Sequence, residues 1–199
     1  MTKSHSKPVF VVFEGLDGSG KTTCAKRTAE LLEARYMTTP SEALRSHRDR
    51  FVADFGDCQE AAQLFYLATV VAASREVEAC LASGLSVVLD RYFLSTQVYA
   101  EFRGSKLSIE KGIEQVLHPA DITVFLDVPL GVRQARTARR PESSSADQET
   151  FDVNADRTLR TAYERRFESP IIGMLVQIDG SRRSAEELAG EVVRQIDRL

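Results

Sequence analysis

One short segment constrains this chain more than any other. Gly15-Leu16-Asp17-Gly18-Ser19-Gly20-Lys21-Thr22 comes directly after Val9-Phe10-Val11-Val12-Phe13, a β-branched and aromatic run without alternation. Such a run reads as a strand buried on both faces. A helical pattern follows from Lys21 to about Arg35. Strand, glycine-rich turn and helix, with the spacing G-x-x-x-x-G-K-[ST], spell a phosphate-binding loop. The glycines let backbone N–H groups turn inward around a phosphate, and the new helix adds its positive end. Lys21 is placed to reach the β- and γ-phosphates of ATP, and the Thr22 hydroxyl to ligand Mg²⁺. Gly15, Asp17, Gly18, Ser19, Gly20, Lys21, Thr22 and Thr23 are therefore the candidate ATP-binding residues. A dinucleotide-binding turn is the rival reading, but Gly18 to Thr23 lacks its third glycine.

The rest of the chain alternates in the same way. Leu85–Leu89, Ile122–Val128 and Met174–Ile178 read as buried strands. Glu42 to about Asp54, Cys58–Ser83, Leu130 to about Arg139 and Asn154–Glu168 read as helices, with Met37–Ser41 irregular around Pro40. Ser184 and Glu187 form a capping box that opens a last helix to about Asp197. Alternating strands and helices call for a parallel sheet with helices on both faces. At 199 residues the whole chain, 1–199, suits a single domain. Pro141–Gln148 reads as a flap within a lid of about residues 137–152.

Composition narrows the partners. A net charge of −3, from 26 basic and 29 acidic residues, argues against a nucleic-acid binder. Cys24, Cys58 and Cys80 lie far apart and make no C-x-x-C pair, which suits reduced thiols in the cytoplasm. Ala61–Ser74 carries no charge but is too short to span a bilayer, so no membrane is expected. Met1–Pro8 has no apolar stretch that would serve as a signal peptide. The helix from 58 to 83 is apolar nearly all round, so it is either central in the fold or half covered by a partner subunit.

Asp90-Arg91-Tyr92 follows a buried strand and falls at the carboxyl edge of the sheet, where ligands collect in open α/β folds. Asp90 suits Mg²⁺ or its waters, and Arg91 suits a bidentate grip on an acceptor phosphate. The alternative is that the two pair and close the strand end. No N/T-K-x-D segment is present for guanine, and a small chain with a late flap suits a small-molecule kinase, whose flap excludes water.

Phe13-Glu14-Gly15-Leu16-Asp17-Gly18-Ser19-Gly20-Lys21-Thr22-Thr23 resembles the opening of thymidylate kinases. Asp90-Arg91-Tyr92-Phe93-Leu94-Ser95-Thr96-Gln97-Val98-Tyr99 resembles their D-R-Y-x-x-S-x-x-A-Y element, and Pro119–Pro129 resembles their P-D-L-x-x-x-L-D-V segment. The resemblance implies a P-loop NTPase-type three-layer α/β fold, with a five-stranded parallel sheet, helices on both faces and a lid. It also implies a homodimer through the long helix 58–83, and transfer of the ATP γ-phosphate to a pyrimidine nucleoside monophosphate. By position, Asp17 would meet the sugar 3′-hydroxyl and Arg91 the acceptor phosphate. Phe65 would stack on the base, Phe151 would pack on the sugar, and Ser95 and Tyr99 would fall on the substrate side. Arg136, Arg139 and Arg140 are candidates for a lid arginine, with Arg139 placed in the catalytic set beside Lys21, Asp90 and Arg91.

The departures concern the acceptor. Glu42 stands where the family has an acceptor arginine, leaving Arg45 or Arg48 to substitute, and Thr69 stands where an arginine reads thymine O4. Thr39-Pro40, Phe65-Tyr66 and Ala73-Ser74 are more similar to the mitochondrial UMP-CMP kinase branch, which leaves dTMP, dUMP and dCMP all open as substrates. An acceptor phosphate is already ionised, so catalysis needs alignment and charge neutralisation rather than a strong base. His5, His47 and His118 are scattered and carry no role. Two alternatives stand beside this reading: a deoxynucleoside kinase, and a regulatory module that binds ATP without useful transfer.

Overall fold

The structure, a computed structural model, describes residues 7–139 and 149–199. The flap 141–148 and Arg140 lie outside the described residues. The first strand, β1 (Phe10–Glu14), enters α1 (Lys21–Leu31), and the chain returns through β2 (Arg35–Thr38). Then come α2 (Glu42–Asp54), α3 (Gln59–Ala82), β3 (Val87–Asp90), α4 (Phe93–Phe102) and the short α5 (Glu110–Glu114). The last part holds β4 (Ile122–Asp127), α6 (Leu130–Thr137), α7 (Val153–Glu164), β5 (Met174–Asp179) and α8 (Ala185–Ile196).

The strands form one five-stranded sheet in the order β2-β3-β1-β4-β5, and every pair is parallel. β1 is wholly buried and its side chains divide between the two faces. Phe10 and Val12 join α3, α4 and α7 in one core, while Val11 and Phe13 join α1 and α8 in the other. This is the expected three-layer α/β arrangement.

Three readings of the sequence need correction. α1 stops at Leu31 rather than Arg35, and Glu33 takes a left-handed φ of 52° to turn the chain. The residues after that turn form β2, an edge strand of four residues that starts on an exposed arginine and so shows no apolar run. Neither α4 nor α5 was assigned from the sequence: α4 mixes polar and apolar residues, and Ser95 and Gln97 are buried with the apolar ones. The long helix α3 packs one face on the core of the sheet. It buries Leu67, Val70, Val77 and Cys80, and leaves Leu64, Ala68 and Ala72 exposed in an i, i+4, i+8 row.

Candidate active site

Parallel pairing brings the two motifs together. Phe13 is in register with Asp90, and Arg91 N–H donates to the Phe13 carbonyl at 2.9 Å. The phosphate loop and the Asp90-Arg91 corner therefore leave adjacent strands at the same edge and line one cleft of about 1000 Å³.

The loop is shaped by its contact with α6. Gly18 has a φ of 78°, and a Cβ there would lie 2.9 Å from the Arg133 carbonyl oxygen and from Thr137 Oγ1. Only glycine fits that left-handed position at that approach. Arg133 is fully buried: it donates to the Asp17 carbonyl at 2.9 Å and to the Val128 carbonyl at 3.2 Å, and it pairs with Asp156. Arg136 donates to the Ser19 carbonyl at 3.0 Å and to the Gly180 carbonyl at 2.7 Å. Arg133 and Arg136 thus tie the Asp17 and Ser19 carbonyls of the loop to α6. The sequence reading took Arg136 as a candidate lid arginine and gave Arg133 no role, and so missed this structural one. Arg139 is exposed just beyond α6 and does not line the cleft.

Asp17 gathers the positive charge. Its carboxylate pairs with Arg91, lies 3.8 Å from Lys21 Nζ and accepts from the Tyr99 hydroxyl at 2.7 Å. Burial alone would raise its pKa, but Arg91 and Lys21 outweigh burial and hold it down to about 2. Lys21 is pushed down to about 8, first by burial and then by Arg91. Arg91 stands at a φ of 68°, in the left-handed region, with its guanidinium 5.1 Å from the Tyr99 ring centroid. Glu14 sits beneath it with no exposed surface. Its oxygens accept from Tyr92 N–H at 3.0 Å, Ser95 N–H at 3.2 Å, the Ser95 hydroxyl and the Tyr163 hydroxyl at 3.3 Å. Burial raises its pKa, while Ser95 and Arg91 oppose that shift. Glu14 thereby fixes the start of α4 to β1. An acidic residue closing an apolar strand was the signal for it, and the sequence analysis did not use it.

Asp90 stands beside the phosphate loop at the end of β3. The Thr22 hydroxyl donates to Asp90 Oδ2 at 2.5 Å. Asp90 Oδ1 is buried and has no hydrogen-bond partner among the described residues. A bare anionic oxygen beside a hydroxyl at a phosphate loop matches the hard-oxygen chemistry of Mg²⁺. Thr22 and Asp90 therefore fit the ion assigned to them from the sequence.

Away from the loop the cleft is also lined by Thr38, Thr39, Arg45, Arg48, Tyr66 and Thr69, together with Ser95 and Tyr99. Arg45 donates to Thr38 Oγ1 at 2.7 Å, and Arg48 pairs with Asp49. Phe65 and Phe151 do not line the cleft. The Phe65 ring packs against Phe51 at 5.6 Å and Phe55 at 6.3 Å, and its neighbour Tyr66 lines the cleft instead. A sequence shows that two adjacent aromatics share a helix, but not which of them turns inward. Phe151 faces the Arg133 guanidinium, 5.5 Å from ring centroid to Cζ.

The family model described as thymidylate kinase matches residues 13–186, most of the chain and every element of this cleft. The chain belongs to the thymidylate kinase family. It is an ATP-dependent nucleoside monophosphate kinase. It is 26% identical over 188 residues to a probable thymidylate kinase of Methanococcus aeolicus, covering 94% of this chain and 95% of that one. It is 31% identical over 172 residues to a thymidylate kinase of Leptospira borgpetersenii, covering 80% of this chain and 81% of that one. Among solved structures, it shares the fold of thymidylate kinase from Candida albicans, with a TM-score of 0.74 and 17% identity over 96% of this chain and 92% of that one.

Proposed function

We propose that the chain transfers the ATP γ-phosphate to pyrimidine deoxynucleoside monophosphates, accepting dUMP and dCMP as well as dTMP. One observation carries this reading: Arg91 and Lys21 converge on a single carboxylate, that of Asp17, in a cleft shared by the phosphate loop and the α3 face. Two cations side by side suit two phosphates brought together, the donor γ-phosphate near Lys21 and the acceptor phosphate near Arg91. Asp17 neutralises them until the phosphates arrive and then offers its carboxylate to the sugar 3′-hydroxyl. Arg45 and Arg48 extend the acceptor grip from α2. Thr22 and Asp90 hold Mg²⁺, which when bound neutralises charge on the β- and γ-phosphate oxygens. Arg136 is already engaged with the Ser19 and Gly180 carbonyls, which leaves Arg139 and Arg140 as the candidates for the lid arginine.

Breadth toward the base is supported by Thr69, whose short side chain lines the cleft where an arginine would select a 4-oxo base. The Candida albicans enzyme of the same fold is itself described as having broad substrate specificity. A coupled assay across pyrimidine nucleosides and monophosphates tests the reading. Turnover of monophosphates but not nucleosides is expected. Turnover of nucleosides alone would favour a deoxynucleoside kinase, and ATP binding without transfer a regulatory module.

The exposed Leu64, Ala68 and Ala72 row supports a homodimer through α3. Sedimentation at micromolar concentration tests it, and a monomer there would overturn it. Among the described residues no helix is long and apolar enough to cross a membrane. The three free thiols, with Cys58 exposed, favour the reducing cytoplasm as the site of action.

A further inference from the structure

Where α3 meets α4, three polar side chains form a chain that phosphoryl transfer does not use. Ser105 Oγ donates to Gln63 Oε1 at 2.5 Å, and Gln63 Nε2 donates to Gln97 Oε1 at 2.9 Å. Gln63 is only 3% exposed and Gln97 only 2%. Gln97 Nε2 is buried with no hydrogen-bond partner among the described residues. Of these three, Gln63 alone lines the cleft, together with Tyr66, Thr69 and Thr96. The two threonine hydroxyls are turned back on their own helices: Thr69 donates to the Tyr66 carbonyl at 2.7 Å and Thr96 to the Tyr92 carbonyl at 3.3 Å. Their protons are thus engaged, and they face a ligand as acceptors. The Gln63 amide keeps one N–H and one carbonyl lone pair beyond the bonds it makes.

We propose that Gln63 reads the C4 substituent of the acceptor pyrimidine, with Gln97 and Ser105 as positioning residues that let its amide face either way. The inference rests on the acceptor reading given above and names the residue behind its breadth. The amide chain is reversible. As it stands, it runs from Ser105 through Gln63 to Gln97. With both amides turned over, Gln97 Nε2 donates to Gln63 Oε1, and Gln63 Nε2 donates to Ser105 Oγ, since a hydroxyl both donates and accepts. Both directions hold the same number of bonds, and each leaves one Gln97 amide atom unpaired. A bound base therefore tips the balance. An exocyclic 4-oxo group draws the amide N–H, and an exocyclic 4-amino group draws the amide oxygen. An arginine in this place would be a donor only and would favour the 4-oxo base.

The test is kcat/KM for dUMP and dCMP with the full chain and two variants. Gln63→Glu makes the reading group an acceptor, and the dCMP:dUMP ratio is expected to rise by about tenfold or more. Gln97→Glu compels Gln63 Nε2 to face residue 97 and removes the reversal, and the ratio is expected to move by at least about fivefold from the wild-type value. ATP KM and the melting temperature report whether each variant is intact. A ratio within about threefold of wild type in an intact variant overturns the role of Gln63 while leaving the acceptor reading in place. A wild-type chain that phosphorylates neither nucleotide overturns the acceptor reading, and the role of Gln63 with it.

Discussion

Arg91 and Asp17 are ion-paired across the cleft, one at the end of β3 and the other in the phosphate loop, and Lys21 Nζ approaches the same carboxylate oxygen to 3.8 Å. The cleft thus carries a counter-ion for its two cations. Asp17 thereby holds the guanidinium in place, and an acceptor phosphate bound as proposed would compete with it for Arg91.

Arg91→Ala is expected to raise KM for the monophosphate far more than KM for ATP. The reason is that Arg91 stands on the β3 side, while Lys21 and the loop N–H groups stay intact. Separate titrations of the two substrates check this. Loss of ATP affinity with acceptor affinity retained would reverse the assignment.

Lys21→Ala is expected to cut transfer by about two to three orders of magnitude, the scale for losing one preorganised charge-stabilising group. Lys21 is buried rather than solvent-facing, and burial depresses its pKa to about 8. The ammonium is the form that binds phosphate, so ATP affinity should fall as pH rises above about 8. Phosphate charge favours the ammonium, and ATP binding near that pH should take up protons, which calorimetry in two buffers measures. The sign for stability is separate. Between about 8 and 10.5 the unfolded chain keeps a proton that the folded one has lost, so this group makes stability rise with pH there.

Asp90→Asn removes the unpaired anionic oxygen beside Thr22 and should raise the Mg²⁺ concentration for half-maximal activity by about tenfold to a hundredfold. Chelation should abolish transfer in the wild type, and added Mg²⁺ should restore it. An unchanged Mg²⁺ requirement would remove Asp90 from the metal site.

Arg133→Met should destabilise the fold by about 3 kcal/mol, the low end for breaking a buried pair, because Asp156 keeps Arg160 as a partner. KM for ATP should rise too, since the Asp17 carbonyl loses its donor. Urea denaturation and ATP titration report the two effects. A variant as stable as wild type would show that the buried guanidinium contributes little beyond its own desolvation.

The sheet and the phosphate loop were legible because their signals are local. β1 is a dense apolar run, and the glycine spacing of the loop has few other uses. β2 was not legible, since an edge strand of four residues beginning with Arg35 needs no apolar run of its own. Lys21, Asp90 and Thr22 converge as their positions in the chain suggested. Phe65 does not face the cleft, because the choice between it and Tyr66 depends on how α2 packs its own Phe51 against α3. Arg133 and Gln63 were hidden for a related reason. Their partners lie far along the chain, at Asp17 and Gln97, and no spacing rule links such distant residues.

The bond from Arg133 to the Asp17 carbonyl joins positions separated by 116 residues. The ribosome makes the phosphate loop well before it makes the helix that braces it. A nascent chain that stops short of Arg133 has the loop sequence but not its brace, and sequence-distant contacts form late in folding because loop closure precedes them. Nucleotide capture therefore waits on α6: the loop motif is made well before the arginine that lets it hold a phosphate, and competence follows the brace rather than the motif.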